Sequence, residues 1–282
     1  LSTKMYGNLG KVENKGLDFS IDYVKRFNKD FDMSFKGTFT YAHNKVLEYD
    51  EPDFQKYPNI SRVGHSVDQQ LLYIAERLFI DDSEVQRNPK QNLGGWVSGG
   101  DIKYKNLPDV NGNYDNVIDS NDRQYTGMPT TPEIVYGFGP SLRYKKFDFS
   151  FFFQGAARVS IMMNGIHPFG ADGTRNVLQF IADDYWSDTN QDIYAGYPRL
   201  SKRDNENNTK ASTYWQRNGA FLKLKNLEVG FNHKFFRVYL RGSNLLTFSP
   251  FKYWDPEMGS GSGLSYPTQR VFNVGVQFSI NK

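Results

Sequence analysis

The sequence has no cysteine among its 282 residues, which excludes a disulfide scaffold and any cysteine-based metal or redox chemistry. It also lacks any stretch near the 18 or more apolar residues that a transmembrane helix needs. Its most apolar short run, Phe147 to Phe153, is broken by Asp148 and Ser150. A membrane protein built of helices is therefore excluded. Basic runs typical of nucleic-acid-binding arms are missing as well, because 34 basic and 31 acidic residues are spread along the chain and leave a net charge of +3. Residues Leu1 to Gly7 have neither the charged nor the apolar region of a secretion signal, so the chain is expected either to stay unexported or to lack its own beginning. The four histidines, His43, His65, His167 and His233, have no metal-ligand spacing. No nucleophile elbow or phosphate-cradling glycine motif stands in strand-then-helix context, so no enzyme is expected.

What is present is aromatic. Phe, Tyr and Trp make up 16% of the residues, yet apolar residues reach only 38% and the mean hydropathy is -0.64. A transmembrane barrel reconciles these values, because apolar side chains facing lipid alternate with polar ones facing the lumen. The alternation is explicit in Leu17-Asp18-Phe19-Ser20-Ile21-Asp22-Tyr23, where odd positions are large and apolar and even ones polar. Phe31, Met33, Phe35, Phe39 and Tyr41 continue it against Asp32, Ser34, Lys36, Thr38 and Thr40, after a compact turn over Arg26 to Asp30. The arrangement recurs in Glu133 to Tyr144 followed by Phe147 to Gln154, in Leu222 to Phe231 followed by Phe236 to Arg241, and in Phe272 to Ile280. The phase slips between Leu224 and Leu227, which predicts a bulge near Lys225-Asn226. Tight turns alternate with long polar excursions at 45–132, 158–213 and 245–269, the asymmetry of outer-membrane barrels. About seven such strands fit, an odd number, so the piece is expected not to close by itself. A soluble β-sandwich is the competing reading of the same alternation. The expected fold class is all-β, a transmembrane antiparallel β-barrel with long extracellular loops.

Several segments resemble the C-terminal third of SusC/RagA-type TonB-dependent transporters. These are Asn14 to Asp18, Gly100 to Lys105, Ile118 to Arg123, Tyr136-Gly137-Phe138 ahead of Phe147 to Gly155, Asp184-Tyr185-Trp186, Tyr197 to Leu200, Phe221 to Leu227, Gly242 to Thr247 and Trp254 to Glu257. The resemblance implies that residues 1–282 are the C-terminal portion of a 22-stranded barrel whose N-terminal plug domain lies outside this chain. It further implies TonB-dependent import of an oligosaccharide or peptide across the outer membrane of a Gram-negative bacterium of the Bacteroidetes type. Implied partners are a SusD-like surface lipoprotein acting as a lid, the rest of the barrel and plug, TonB through the N-terminal part, membrane lipid and lipopolysaccharide, and a dimer of such pairs. Nucleic acid is not among them, and no cofactor is required. The rivals are a non-transporting surface glycan-binding β protein or adhesin, and a passive porin.

Two sets of residues stand out as candidates for binding. Asn111, Asn113, Asp115, Val117, Asp119 and Asp122 occupy positions 1, 3, 5, 7, 9 and 12 of a frame that resembles an EF-hand calcium loop, with Asn116 where Gly is usual and Asp in place of a bidentate Glu at the close. The other reading is an Asx-rich turn held by its own side chains. Trp96, Tyr185, Trp186, Tyr197 and Trp215, in the excursions, are candidates to stack on sugar rings or to meet the lid, with packing inside the loops as the alternative.

Overall fold

The computed structural model describes residues 7–169, 173–202 and 205–279. The alternating segments form seven antiparallel strands, each paired with its neighbours in sequence: β1 Lys11–Arg26, β2 Phe31–Glu48, β3 Ile134–Tyr144, β4 Phe147–Ala157, β5 Phe221–Asn232, β6 Phe236–Phe248 and β7 Val271–Phe278. Their order in the sheet is their order in the chain, and β1 and β7 are its two open edges. The sheet is one arc of wall. Ile280, expected in the last strand, lies outside the described residues.

Register makes the two faces explicit. Ile21 stands opposite Gly37, Gly37 opposite Phe138, Phe138 opposite Phe153, Phe153 opposite Leu224 and Leu224 opposite Leu246, so one row across six strands is apolar apart from a glycine. On the other face Asp32 pairs with Arg143, and Arg237 reaches Asp148 at 2.5 Å and Glu228 at 2.6 Å. The anticipated bulge is present at Lys225, where the pairing jumps from Leu224 to Asn226 and restores Leu222 and Leu224 to the apolar face. A second irregularity at Asn244, with φ 55°, carries β6 on to Phe248, so the last excursion begins after 248 rather than at 245. β2 likewise runs seven residues beyond Tyr41.

Among the described residues no second layer covers the wall's apolar face. Leu17, Phe19, Leu240, Phe272, Val274 and Phe278 are all exposed, Val274 by 77%. Burying each such side chain contributes roughly 1.5–3 kcal/mol, so a sheet of this kind is stable only with its outer face in hydrocarbon. A soluble sandwich would cover that face with a second sheet, and none is present among the described residues. Near the tight turns the outer face becomes aromatic and cationic. Phe27 stacks on Phe31 at 4.9 Å and Phe147 meets Phe231 at a tilt, 5.3 Å between ring centres, while the Lys25 and Lys145 ammonium groups lie over Phe27 and Tyr144.

The hydrophobic core sits in the excursions. Leu72, Leu78, Ile102, Tyr104, Ile118, Ile161, Ile181 and Trp215 are buried together. Four two-stranded ladders form within the excursions, Gln70–Tyr73 with Arg123–Thr126, Ala75–Leu78 with Ile102–Tyr104, Lys90–Gln91 with Val117–Ile118, and Ser160–Met162 with Gln216–Asn218, and the isolated bridges Tyr73 to Ser212 and Met163 to Gly261 join one excursion to the next. A short helix α1, Asp82–Arg87, is capped by Asp81, whose carboxylate accepts the Glu84 amide at 2.7 Å. The loops therefore form a folded layer on one rim of the wall.

Candidate functional site

The middle of that layer is organised around Asp101, which is fully buried. Its carboxylate accepts from the Arg199 guanidinium at 2.9 Å, the Asn208 amide at 2.8 Å and the Ser98 backbone N–H at 2.8 Å. Burial pushes this carboxyl up from its ordinary value against the pull of Arg199 and Asn208. Arg199 is held at both ends, because its guanidinium also lies 4.0 Å from the centroid of the Trp96 ring. Gly100, at φ 79°, admits the Trp186 ring; a Cβ there would stand 2.2 Å from it.

Beside this pair opens a cleft of about 590 Å³, lined among others by Asp82, Ser98, Tyr185, Trp186, Asp188 and Arg199. Asp82 accepts from the Ser98 hydroxyl and, at 2.9 Å, from the Gly99 N–H, and these bonds hold its carboxyl below the ordinary range. Glu84, behind the wall of α1, is pulled to about 2, first by its bond to Arg77. The cleft thus offers ionised carboxylates, hydroxyls and an aromatic edge, groups suited to holding a polar ligand by hydrogen bonds and stacking.

The five aromatic candidates separate by burial. Trp96 is 65% exposed and Tyr185 is half-buried against the cleft. Trp186, Tyr197 and Trp215 are buried, Trp186 with an edge on the cleft. The Trp186 indole N–H has no acceptor among the described residues, and its backbone N–H bonds the Tyr197 carbonyl. Tyr197 packs 5.6 Å from Trp215, whose indole N–H donates to the Asn208 carbonyl at 2.8 Å. Their aromatic area fills the loop core, and only their place in excursions had pointed to a ligand.

No family model matches the sequence. The TonB-dependent receptor P3 of Formosa agariphila is 28% identical over 95% of this chain and 29% of its own length, and SusC of Bacteroides thetaiotaomicron is 24% identical over 98% of this chain and 27% of its own. The chain is similar to a stretch of SusC-like TonB-dependent receptors. It spans less than a third of those relatives, and it belongs to the outer membrane. Among solved structures, the RagAB peptide importer in its open-open state matches with a TM-score of 0.67 at 18% identity, over 96% of this chain and 29% of that one. A second structure, of the RagAB peptide transporter, gives 0.66 at 22% over 97% and 30%. At that identity the likeness shows the fold, and the seven-stranded arc is part of such a barrel. The relatives are receptors and transporters, not enzymes.

In this receptor segment the calcium candidates do not form a cage. Asp122 is buried and accepts the Leu107 and Asp119 amides at 2.6 and 2.7 Å, Asp119 accepts the Asn121 amide at 2.8 Å, and Asp115 the Val117 amide at 3.0 Å. Asn111 and Asn113 donate their backbone N–H groups to Asp109. Among the described residues no group of three or more His, Cys, Asp or Glu is placed to hold a metal. The carboxylates are spent on local amides, as Asx turns spend them, so the donor set does not fit a calcium ion as it stands.

Sequence reasoning missed a cluster at the junction of wall and loops. Lys223, on the inner face of β5, is buried with its ammonium 2.5 Å from Asp255 and 2.5 Å from Glu257, and Lys225 reaches Glu257 at 2.9 Å. A second junction joins Glu133 to His43 and Arg158, each at 2.5 Å, with Arg158 at φ 51°. The signal for the first was legible in retrospect: two lysines flanking Leu224, and two acids spaced two apart in Trp254-Asp255-Pro256-Glu257. Only the fold shows that they meet.

Proposed function

We propose that this chain forms part of the barrel wall and part of the loop surface of an importer that brings an oligosaccharide or a peptide across the outer membrane, driven by TonB and assisted by a SusD-like lipoprotein lid. The observation that carries this reading is the combination of a two-faced wall with a separately cored loop layer on one rim. The wall gives a polar inner surface carrying Lys36, Asp148, Glu228, Arg237 and Arg241. The loop layer gives a structured platform, with the cleft lined by Tyr185 and Arg199, on which cargo can be held before it passes inward. The likeness to SusC and to the fold of a peptide importer supports both classes of cargo and chooses neither. In this mechanism the wall and loops stay fixed while parts outside this chain move.

The test is uptake by cells in which the gene for the full receptor is deleted, supplied with defined oligosaccharides or defined peptides as sole nutrient. Loss of growth on one class, also produced by removing TonB from otherwise intact cells, is the expected result. Unchanged growth on every nutrient, with the surface binding of glycans lost instead, would replace the importer by an adhesin.

A further inference from the structure

The cleft beside Asp101 carries more negative charge than the chain itself answers. Asp81 and Asp82, at the start of α1, line it from one excursion and Asp188 from the next, all three exposed. Asp81 spends Oδ1 on the Glu84 amide and the Ser83 hydroxyl, and Asp82 spends Oδ1 on the Gly99 amide and the Ser98 hydroxyl. Each keeps its Oδ2 without a hydrogen-bond partner among the described residues. The Ser83 hydroxyl first, then the Glu84 amide, hold the Asp81 carboxyl below its ordinary range, so that it stays ionised at neutral pH as Asp82 does. Asp188 stands in a two-residue turn closed by reciprocal backbone bonds between Ser187 and Asn190, and its carboxylate also lacks a partner among the described residues. Arg199, the cation on the lining, is already met by Asp101, and Arg87, whose charge reaches Asp81, donates to the Ser83 carbonyl and hydroxyl. A bare metal ion does not fit the surplus, because among the described residues no three acids are placed to share one. Two lining residues ask for the opposite kind of group. The Trp186 indole N–H and Arg199 Nε are both buried without an acceptor, a costly state that an acceptor oxygen seated against them relieves.

We infer that this cleft holds a basic peptide segment: the charged end of a lysine or arginine side chain lies between Asp188 and the Asp81–Asp82 pair, and a backbone carbonyl of the same segment accepts from Trp186 or Arg199. The apolar stem of that side chain runs beside the half-buried Tyr185 ring, as long cationic side chains lie along aromatic surface. The stem also supplies the reach that acids on two excursions, too far apart for one metal ion, require. An ammonium set directly on a sugar ring lacks it. A volume of about 590 Å³ accommodates such a residue with its neighbours. The inference rests on the reading of this cleft as a place where cargo is held, and it narrows that cargo to peptides that carry lysine or arginine.

The measurement is titration calorimetry on the full receptor released from outer membranes in mild detergent. The probes are the peptide Ala-Lys-Ala-Lys-Ala, its neutral analogue Ala-Gln-Ala-Gln-Ala and a glucosamine tetramer. The lysine peptide should bind about tenfold more tightly than the glutamine peptide at low salt, and most of that advantage should vanish at about 0.5 M salt. Asp81→Asn/Asp188→Asn, in which asparagine still caps α1, should weaken the lysine peptide about tenfold and leave the glutamine peptide as it was. Asp188→Asn alone, at an exposed turn, should weaken the lysine peptide about threefold, and it keeps the test open should the double variant fail to assemble. Equal affinity for the two peptides, no binding of either, a lysine preference that survives both variants, or tighter binding of the glucosamine tetramer would each overturn the assignment. Uptake plays no part in this measurement, so any of those results leaves the importer reading to its own growth test.

Discussion

Replacing Lys223 by Met should release the segment after β6 from the wall without dissolving the wall itself. The ammonium is buried between Asp255 and Glu257, both at 2.5 Å, and their side chains are 18% and 20% exposed. Removing one partner of a buried ion pair costs about 3–5 kcal/mol when the remaining charge is stranded. Here water reaches part of both carboxylates and Lys225 still faces Glu257, so the loss should fall to about 2–3 kcal/mol. That corresponds to a rise of roughly 30- to 150-fold in local opening, read by hydrogen exchange at the amides of Phe251, Met258 and Gly259. The triple variant Lys223→Met/Asp255→Asn/Glu257→Gln removes the stranded charges and should recover most of the protection. Acid should act in the same direction. Burial raises the Asp255 carboxyl, but the Lys223 ammonium and the Glu257 N–H outweigh it and hold it below the ordinary range. A depressed carboxyl gives stability that is present above the unfolded value near 4 and lost as pH falls through the folded one, so the segment should loosen below about pH 4. Exchange in this segment that is the same in wild type and Lys223→Met would refute the clamp.

Gly100→Ala combines a left-handed backbone with a Cβ 2.2 Å from the Trp186 ring, and should destabilise the loop layer by about 2–4 kcal/mol in thermal unfolding followed by indole fluorescence. Val274→Arg, on the lipid face, should cost about 2–4 kcal/mol in refolding into vesicles, whereas Asn273→Ser on the opposite face should stay within about 0.5 kcal/mol; equal effects would mean that the faces are assigned wrongly. Asp101 should show a pH slope opposite to that of Asp255. Its carboxyl is raised by burial, so it favours the folded loop layer as pH falls and loses that contribution as pH rises through its folded value. Asp101→Asn should abolish this acid-side gain, measured as the pH dependence of loop-layer melting. Trp96→Ala should change stability by less than about 0.5 kcal/mol, because the ring is 65% exposed, yet by freeing the Arg199 guanidinium that lies over it should weaken any cargo that Arg199 holds at the cleft, a contrast that titration calorimetry and melting together would resolve.

The wall was legible because a strand that divides lipid from lumen must write its two faces into alternate residues, and even the slip at Lys225 could be seen as a change of phase. Its ends were less legible. β2 runs on to Glu48 and β6 to Phe248, where alternation fades above the apolar belt but backbone pairing continues. The loop layer was not legible. Its core is built from short apolar pieces such as Leu71-Leu72, Leu78-Phe79 and Ile161-Met162-Met163, set among polar residues and far apart in the chain, and no periodicity links Asp101 to Asn208 or Lys223 to Glu257. Trp186, Tyr197 and Trp215 were singled out for the right reason, since large aromatics are conspicuous in loops, but the same area that suits a ligand also fills a core. What separates the two uses is burial, and burial depends on contacts across about a hundred residues.

The division of labour in the energetics follows from the same contrast. The wall holds its rows by backbone ladders and gains its apolar stabilisation from the bilayer, so its outer residues need only be greasy, and Phe, Leu and Val interchange along a row. The loop layer has water on its open side and must supply its own core. It does so with buried polar anchors, namely Asp101 with Arg199 and Asn208, and Lys223 with Asp255 and Glu257, each costly to leave unpaired. Such anchors fix which loop meets which, because a shift of register strands a charge. A receptor that must present a defined surface while its cargo and its other parts change therefore needs them at the junctions, where Lys223 and Glu133 stand. Perturbing a junction should alter the exchange of one loop, whereas perturbing the lipid face should alter assembly of the whole wall, and the Lys223 and Val274 variants compared in one preparation would separate the two.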